Sequence, residues 1–195
     1  MALQNNDLIE FFKSTLKPYG FVYSKNNLFK KEISNEFFQI IWFEFNKVIS
    51  YDDLLVYNLN SSIHSVISDK IINTSFKISN AKHSAIIDLS YVKELNQFEA
   101  NLGCINFNTL KDKIDGYLKE LKKFENHDSI IDHLYSSYSY LLKKVAALID
   151  IKQKPKDKKA IDIFIENYNL TNEYWKKKVN LFLKSEQLEF LNKYL

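Results

Sequence analysis

Glu36-Phe-Phe-Gln-Ile-Ile-Trp-Phe-Glu-Phe-Asn46 is the stretch on which the fold turns. Its odd positions Phe37, Ile41, Phe43 and Phe45 and its even positions Phe38, Ile40 and Trp42 are apolar alike. Successive side chains of a strand point to opposite faces, so this pattern predicts a central strand covered on both sides rather than a half-wet one. Gln39 and Glu44 interrupt the run. A carboxylate beside Trp42, Phe43 and Phe45 must find a partner or reach water, and Glu44 is expected to reach it at the strand end.

Working outward toward the N-terminus, the turn-forming pairs Asn26-Asn27 and Ser34-Asn35 set off short strands at Phe21 to Ser24 and Leu28 to Ile33. Before them, Leu8, Phe11, Phe12 and Leu16 recur at helical spacing behind the cap-competent Asn6 and Asp7. Pro18 and Gly20 end that helix, proline by restricting the residue before it and glycine by tolerating the positive φ of a turn.

Toward the C-terminus, a polar loop at Lys47 to Asp53 precedes a strand at Leu54 to Leu59. Asn60-Ser61-Ser62 reads as a break, and Ile63 to Asn73 is open between a short helix and a loop. Strands are expected at Thr74 to Ile78 and at Ser84 to Val92, the second with Ala85, Ile87, Leu89 and Tyr91 on one face. Glu94 to Phe107 carries no clear period.

Helical spacing then takes over. Leu110, Ile114, Tyr117, Leu121 and Phe124 form one stripe behind Thr109 and Asp112, a near relative of the capping box. Ile131, Leu134, Tyr138, Leu141, Val145 and Leu148 form the next, capped by Asp128 or Ser129. The segment at 152–159, KQKPKDKK, reads as a solvated linker, and further helices are expected around Ala160 to Tyr168 and from Thr171 onward. Strands first and helices afterwards predict an α+β fold, an N-terminal helix and antiparallel sheet followed by a helical C-terminal half. The division falls at 1–107 and 108–195, either as two units or as one compact domain.

Residues 7–66 resemble a widespread bacterial family of small domains of unknown function. The residues that carry the resemblance are Leu16, Pro18, Gly20 and Phe21, then Phe29, Lys30 and Lys31, then Gln39, then Asn58. The family pattern is a helix, a Leu-x-Pro-x-x-Gly-Phe turn, a hairpin with basic residues, a Gln-bearing strand and an Asn-x-Gly strand. Here Pro18 and Gly20 stand one residue closer together, and Leu59-Asn60 replaces the Asn-following glycine position. Some members look like immunity or accessory proteins encoded beside bacterial toxins, which is what the resemblance implies for function.

Composition narrows the chemistry. The chain of 195 residues contains 27 basic side chains, every one a lysine. Arginine's planar fork grips carboxylate and phosphate at two points and a lysine ammonium does not, so machinery built on phosphoryl clamping or guanine readout is disfavoured. Three glycines and one cysteine leave little for phosphate loops or thiolate metal sites. Residues 1–104 hold 10 lysines against 11 acids, and residues 105–195 hold 17 against 13. The pI of about 8.7 falls short of the concentrated basic face that nucleic-acid binding normally shows. A lone cysteine forms no internal disulfide, and no apolar run reaches the ~20 residues of a membrane span, so a cytoplasmic location without membrane contact is expected.

No local motif announces catalysis. Among His64, His83, His127 and His133 no pair has the three- or four-residue spacing that puts two ligands on one helix face, and no metal or cofactor is expected. His127 and His133 lie six apart, about 240° round a helix. Cys104 sits in an apolar run and reads as buried and inert, and no Gly-x-Ser-x-Gly elbow is present. Asp52 and Asp53 are adjacent and so point apart on a strand, which suits a charged contact loop better than a shared acid-base role. Tyr51, Asp52, Asp53 and Glu44 are therefore the candidate residues for contact with a protein partner. The expected function is a non-catalytic interaction module, with an immunity or inhibitor protein acting on a cognate toxin as the form the resemblance implies. The alternative is a nucleic-acid-associated module using Lys176, Lys177 and Lys178. An enzyme whose site is assembled from scattered polar residues stays open as a third.

Overall fold

The computed structural model describes residues 2–46, 54–66, 85–90, 92, 95–101, 104–138, 142–143, 146–147 and 149–150. Helix α1 spans Ala2–Leu16 and passes into a 3-10 turn at Lys17–Tyr19. Strands follow at β1 Val22–Tyr23, β2 Leu28–Glu32, β3 Phe37–Phe45, β4 Leu54–Ser65, β5 Ile87–Asp88, β6 Gln97–Asn101 and β7 Cys104–Ile105. Helices α2, Phe107–Lys122, and α3, His127–Ser136, come after them. The fold is α+β, with helices on the C-terminal side of the described chain.

Every strand pairing is antiparallel, and the order across the sheet is β1-β2-β3-β4-β6-β7. Strand β4 is long enough to take two partners on one edge: Leu54 to Asn58 pair with β6, and Ser62 and Ile63 pair with β5. On its other edge β4 runs alongside all of β3, from Phe37 opposite Ser65 to Phe45 opposite Tyr57.

Both faces of β3 are buried, as its two-sided apolar pattern predicts. Phe37, Ile41 and Phe43 join Phe29, Tyr57, Leu59 and Ile63 in the main core, beneath Leu8, Phe12 and Leu16 of α1 and Leu110, Ile114, Tyr117 and Leu121 of α2. Phe38, Ile40 and Trp42 point the other way and cluster with Leu28 of β2. Phe12 stacks on Phe43 at 4.7 Å and on Phe29 at 5.5 Å between ring centroids, and Phe43 meets Tyr57 and Phe98 edge-on. Aromatic pairs in these geometries add to the value of their buried area.

Several boundaries differ from the sequence reading. Asn6 and Asp7 lie inside α1, which begins at Ala2. Asn60-Ser61-Ser62 is continuous strand, because pairing with Trp42, Ile41 and Ile40 holds each residue extended and outweighs its local turn preference. Only Ile87–Asp88 of the Ser84 to Val92 expectation pairs as a strand, and Ile86 is buried together with Ile87 and Leu89, so strict alternation fails there. Strands β6 and β7 occupy the stretch that carried no period. The helix caps are Asn106, whose side chain accepts from Thr109 N at 3.1 Å, and Asn126, which accepts from Ser129 N at 2.8 Å. Each precedes the residues expected to cap. Helix α3 stops at Ser136, Ser137 is extended, and Tyr138 stands fully exposed rather than on an apolar stripe. The turn after α1 agrees with expectation, with Gly20 at φ 84° and its N–H on Lys17 O. Asn26 and Asn27 both take positive φ in the β1–β2 turn, a conformation asparagine tolerates better than most residues. The expected loop at 47–53, strand at 74–78, linker at 152–159 and helices beyond it lie outside the described residues.

Tyr117 ties α2 to the sheet by donating its hydroxyl to Leu59 O at 3.0 Å, within the core. Burial, and then the nearby Asp88 carboxylate, push its phenol well above the ordinary value of 10.0, and burial raises Tyr57 as well. A phenol of raised pKa keeps its proton in the folded state while the unfolded state loses it above about pH 10, so stability declines as pH rises past that point. Tyr117→Phe is expected to cost about 1–2 kcal/mol at neutral pH through the lost hydrogen bond and to flatten the alkaline decline, both read from urea unfolding between neutral pH and pH 11. Phe43→Ala, at the centre of the aromatic cluster, is expected to cost about 3–5 kcal/mol in the same measurement.

Candidate functional site

Of the residues marked by sequence for partner contact, Glu44 is the penultimate residue of β3, half-buried and opposite Asn58. Tyr51, Asp52 and Asp53 lie outside the described residues, as do Lys176, Lys177, Lys178 and His83.

The other histidines sit against aromatic rings. His127 lies 5.1 Å from the ring of Phe37, and His133 meets Phe124 edge-on at 5.1 Å. His64 is stacked on Phe38 at 5.3 Å, and its Nε2 lies 2.8 Å from Ser62 Oγ. A hydroxyl at hydrogen-bond distance from an imidazole is the arrangement of an activated nucleophile. Here both residues have zero exposure and lie opposite Phe38 and Ile40 in the register. No substrate reaches them in this state, and the contact serves to satisfy two polar groups inside the sheet. The neighbouring Asn60 is 2% exposed and its Nδ2 has no acceptor among the described residues. Among those residues no three potential metal ligands converge, and no helix is long and apolar enough to cross a membrane.

A different place gathers exposed chemistry. Gln39 interrupts the apolar run of β3 on the helix side, and it is 1% exposed. Its Nε2 donates to Leu121 O at 3.0 Å and to Phe124 O at 3.1 Å. These carbonyls belong to the C-terminal end of α2 and the turn after it, beyond the regular helical ladder, where Leu121 O also accepts from Phe124 N at 3.0 Å. One buried amide thus adds a donor to each carbonyl and ties the end of α2 to β3.

Beside this junction lies a half-open hollow of about 300 Å³, floored by Phe21, Gln39, Leu118 and Leu121 and rimmed by Tyr19. Lys31, Lys119, Lys122, Asp115 and Glu125 line it as well. A second hollow of about 340 Å³ continues past Tyr19 and Asp115, which both share, to Ser14, Pro18 and Lys111. Together they form a groove between the end of α1, the 3-10 turn and one side of α2. The sequence shows why it exists. Lys111, Asp115, Leu118, Lys119 and Lys122 fall at three- and four-residue spacing on one side of α2, next to the stripe that faces the core. Gly20 turns the chain so that Tyr19 is left 49% exposed at the rim while Phe21 is buried in the floor. Lys31 lays its stem along Gly20 and brings its ammonium to 5.9 Å from the Phe21 ring. Among the described residues none of Lys31, Lys111, Lys119, Lys122, Asp115 or Glu125 is in an ion pair, in contrast to Lys13 with Glu10, Lys30 with Glu32 and Lys123 with Glu120.

Sequence reasoning did not find this groove. Its residues come from four separated places in the chain, and the available signal is the lysine and aspartate spacing along α2 together with a lone glutamine in an apolar strand. Comparison of the chain with family models, with curated proteins and with solved structures finds no match.

Gln39→Leu removes both side-chain donors, strands Phe124 O and leaves Leu121 O with its turn bond from Phe124 N alone. It is expected to lower stability by about 2–4 kcal/mol and to speed amide hydrogen exchange at the end of α2 ahead of the rest of the helix. Uniform protection loss along α2 would show that Gln39 does not fix the helix end.

Proposed function

We propose that this chain is a non-catalytic protein-binding module that acts as an immunity or inhibitor protein, neutralising a partner toxin by covering part of its surface. The observation that carries the reading is the groove at α2. It combines an apolar floor, an exposed tyrosine at the rim and charged side chains without ion-pair partners among the described residues, which is the mixture that protein interfaces use for anchoring and orientation. The full burial of Ser62 and His64 supports the non-catalytic half of the proposal. The resemblance of residues 7–66 to bacterial domains found beside toxins supports the immunity half, and a reducing cytoplasmic setting belongs with it. Tyr51, Asp52, Asp53 and Glu44 remain candidates for a second contact region.

Tagged chain co-expressed with the products of the adjacent reading frames is expected to retain one of them through purification and to relieve any growth defect that product causes alone. Failure to retain either neighbour, with no protection of growth, would remove the immunity reading.

A further inference from the structure

We infer that the groove along α2 receives an extended acidic segment of a partner protein, one that seats an aromatic or aliphatic side chain against Leu118 and Tyr19 and donates a backbone N–H to Gln39 Oε1. The inference rests on the reading of the chain as a protein-binding module and adds where and what it binds.

Charge gives the first argument. Lys31, Lys111, Lys119 and Lys122 face the two hollows against Asp115 and Glu125, and no ion pair among the described residues neutralises any of the six. An excess of unpaired ammonium groups around a low-dielectric floor favours a ligand bearing carboxylates, and attraction at such a rim acts mainly on encounter and orientation.

Gln39 gives the second. Both amide hydrogens of this 99% buried side chain go to Leu121 O and Phe124 O. Its Oε1 accepts from no donor among the described residues, while the residue lines the groove. This oxygen is not among the fully buried atoms that lack a partner, so water reaches it, and a donor on whatever fills the cleft takes the place of that water.

These two features together select a peptide over a nucleic acid. A nucleic acid carries its donors on base edges and 2′-hydroxyls rather than on the phosphates, so a phosphate chain seated on the lysines would lie against Asp115, Glu125 and the Gln39 oxygen, all of them acceptors. An acidic peptide brings carboxylates for the lysines, main-chain N–H groups for Gln39 and Asp115, and an apolar side chain for the floor. Phe21 and Leu121 are already buried, so the anchor gains its contact area from the half-exposed Leu118 and from Tyr19 at the rim.

The test uses the full chain and a phage-displayed library of random peptides, selected at low salt. Enriched peptides are expected to carry several Asp or Glu residues around an aromatic or large aliphatic one. Their affinity is expected to fall at least about tenfold in the Lys119→Glu, Lys122→Glu double variant, whose exposed positions leave folding unchanged. Gln39→Glu is expected to weaken the same peptides, since its second oxygen faces the α2 carbonyls in place of a donor. A circular dichroism melt of each variant separates lost binding from lost folding. Overturning results are enrichment of nothing, enrichment without acidic character, equal binding to the double variant, or tighter binding of a single-stranded RNA oligomer than of any selected peptide. If the natural partner is retained by the double variant, the groove inference fails and the module reading stands. If selected peptides bind in the groove but no neighbouring product does, the immunity reading fails and the groove inference stands.

Discussion

The pairing of β3 with β4 holds the molecule together, because β3 is buried on both faces and has nowhere else to put its side chains. Nine consecutive residues of β3 face β4, from Phe37 opposite Ser65 to Phe45 opposite Tyr57. On one face Phe43 receives Phe12 from α1, and on the other Trp42 is 1% exposed beside Leu28, Phe38 and Ile40. A strand of this kind drives collapse through apolar area, roughly 25 cal/mol for each Å² removed from water. It also forbids slippage, since a one-residue shift would exchange the two sets of side chains and carry Gln39 away from α2.

Burial on both faces makes each polar group in the sheet expensive, and the molecule meets that cost with long-range hydrogen bonds. Gln39 reaches the end of α2, Tyr117 of α2 reaches back to Leu59 O, and Glu36 accepts from Ser65 Oγ at 3.0 Å. The first two run in opposite directions between the same helix and the two central strands. They fix both the height and the rotation of α2 over the sheet, which apolar packing alone tolerates with some slack. Gly116 lets that helix come close, since a Cβ there would stand 2.7 Å from Leu95 Cδ2. The groove is a consequence. With α2 rotated to point Tyr117 and Leu121 inward, its Lys111, Asp115, Lys119 and Lys122 edge falls beside the end of α1 and the Gly20 turn.

How much of this was legible in sequence follows from how local each signal is. The two-sided strand, the helix stop at Pro18 and Gly20, and the stripe of Leu110, Ile114, Tyr117 and Leu121 depend on residues within one or two turns of chain. Asn60-Ser61-Ser62 misleads because its turn chemistry is local and its pairing with β3 is not. Strands β6 and β7 are short and take their order from β4, so Gln97 to Ile105 has no period to read. The caps at Asn106 and Asn126 are not singled out from Thr109, Asp128 and Ser129, since several capping residues stand close together and local pattern does not choose among them. The groove was the least legible, being assembled across a sequence separation of about a hundred residues from Tyr19 to Glu125. Besides the lysine and aspartate spacing along α2, its visible trace is Gln39, a polar residue in an apolar strand that sequence reads as an interruption and structure reads as a junction.

The absence of arginine bears on what such a groove can discriminate. A lysine ammonium is a mobile, strongly hydrated point charge that accepts a carboxylate from many directions, whereas a guanidinium imposes a plane and a pair of parallel bonds. Four lysines on flexible stems therefore attract acidic chains in general and do little to fix their register. Register must come from groups that do not move: the Gln39 oxygen, held by two bonds to the end of α2, and the apolar floor set by the Gly20 turn. The same residue that orders the fold at the end of α2 thus supplies the directional contact in the groove, which ties the selectivity of binding to the integrity of the β3–α2 junction.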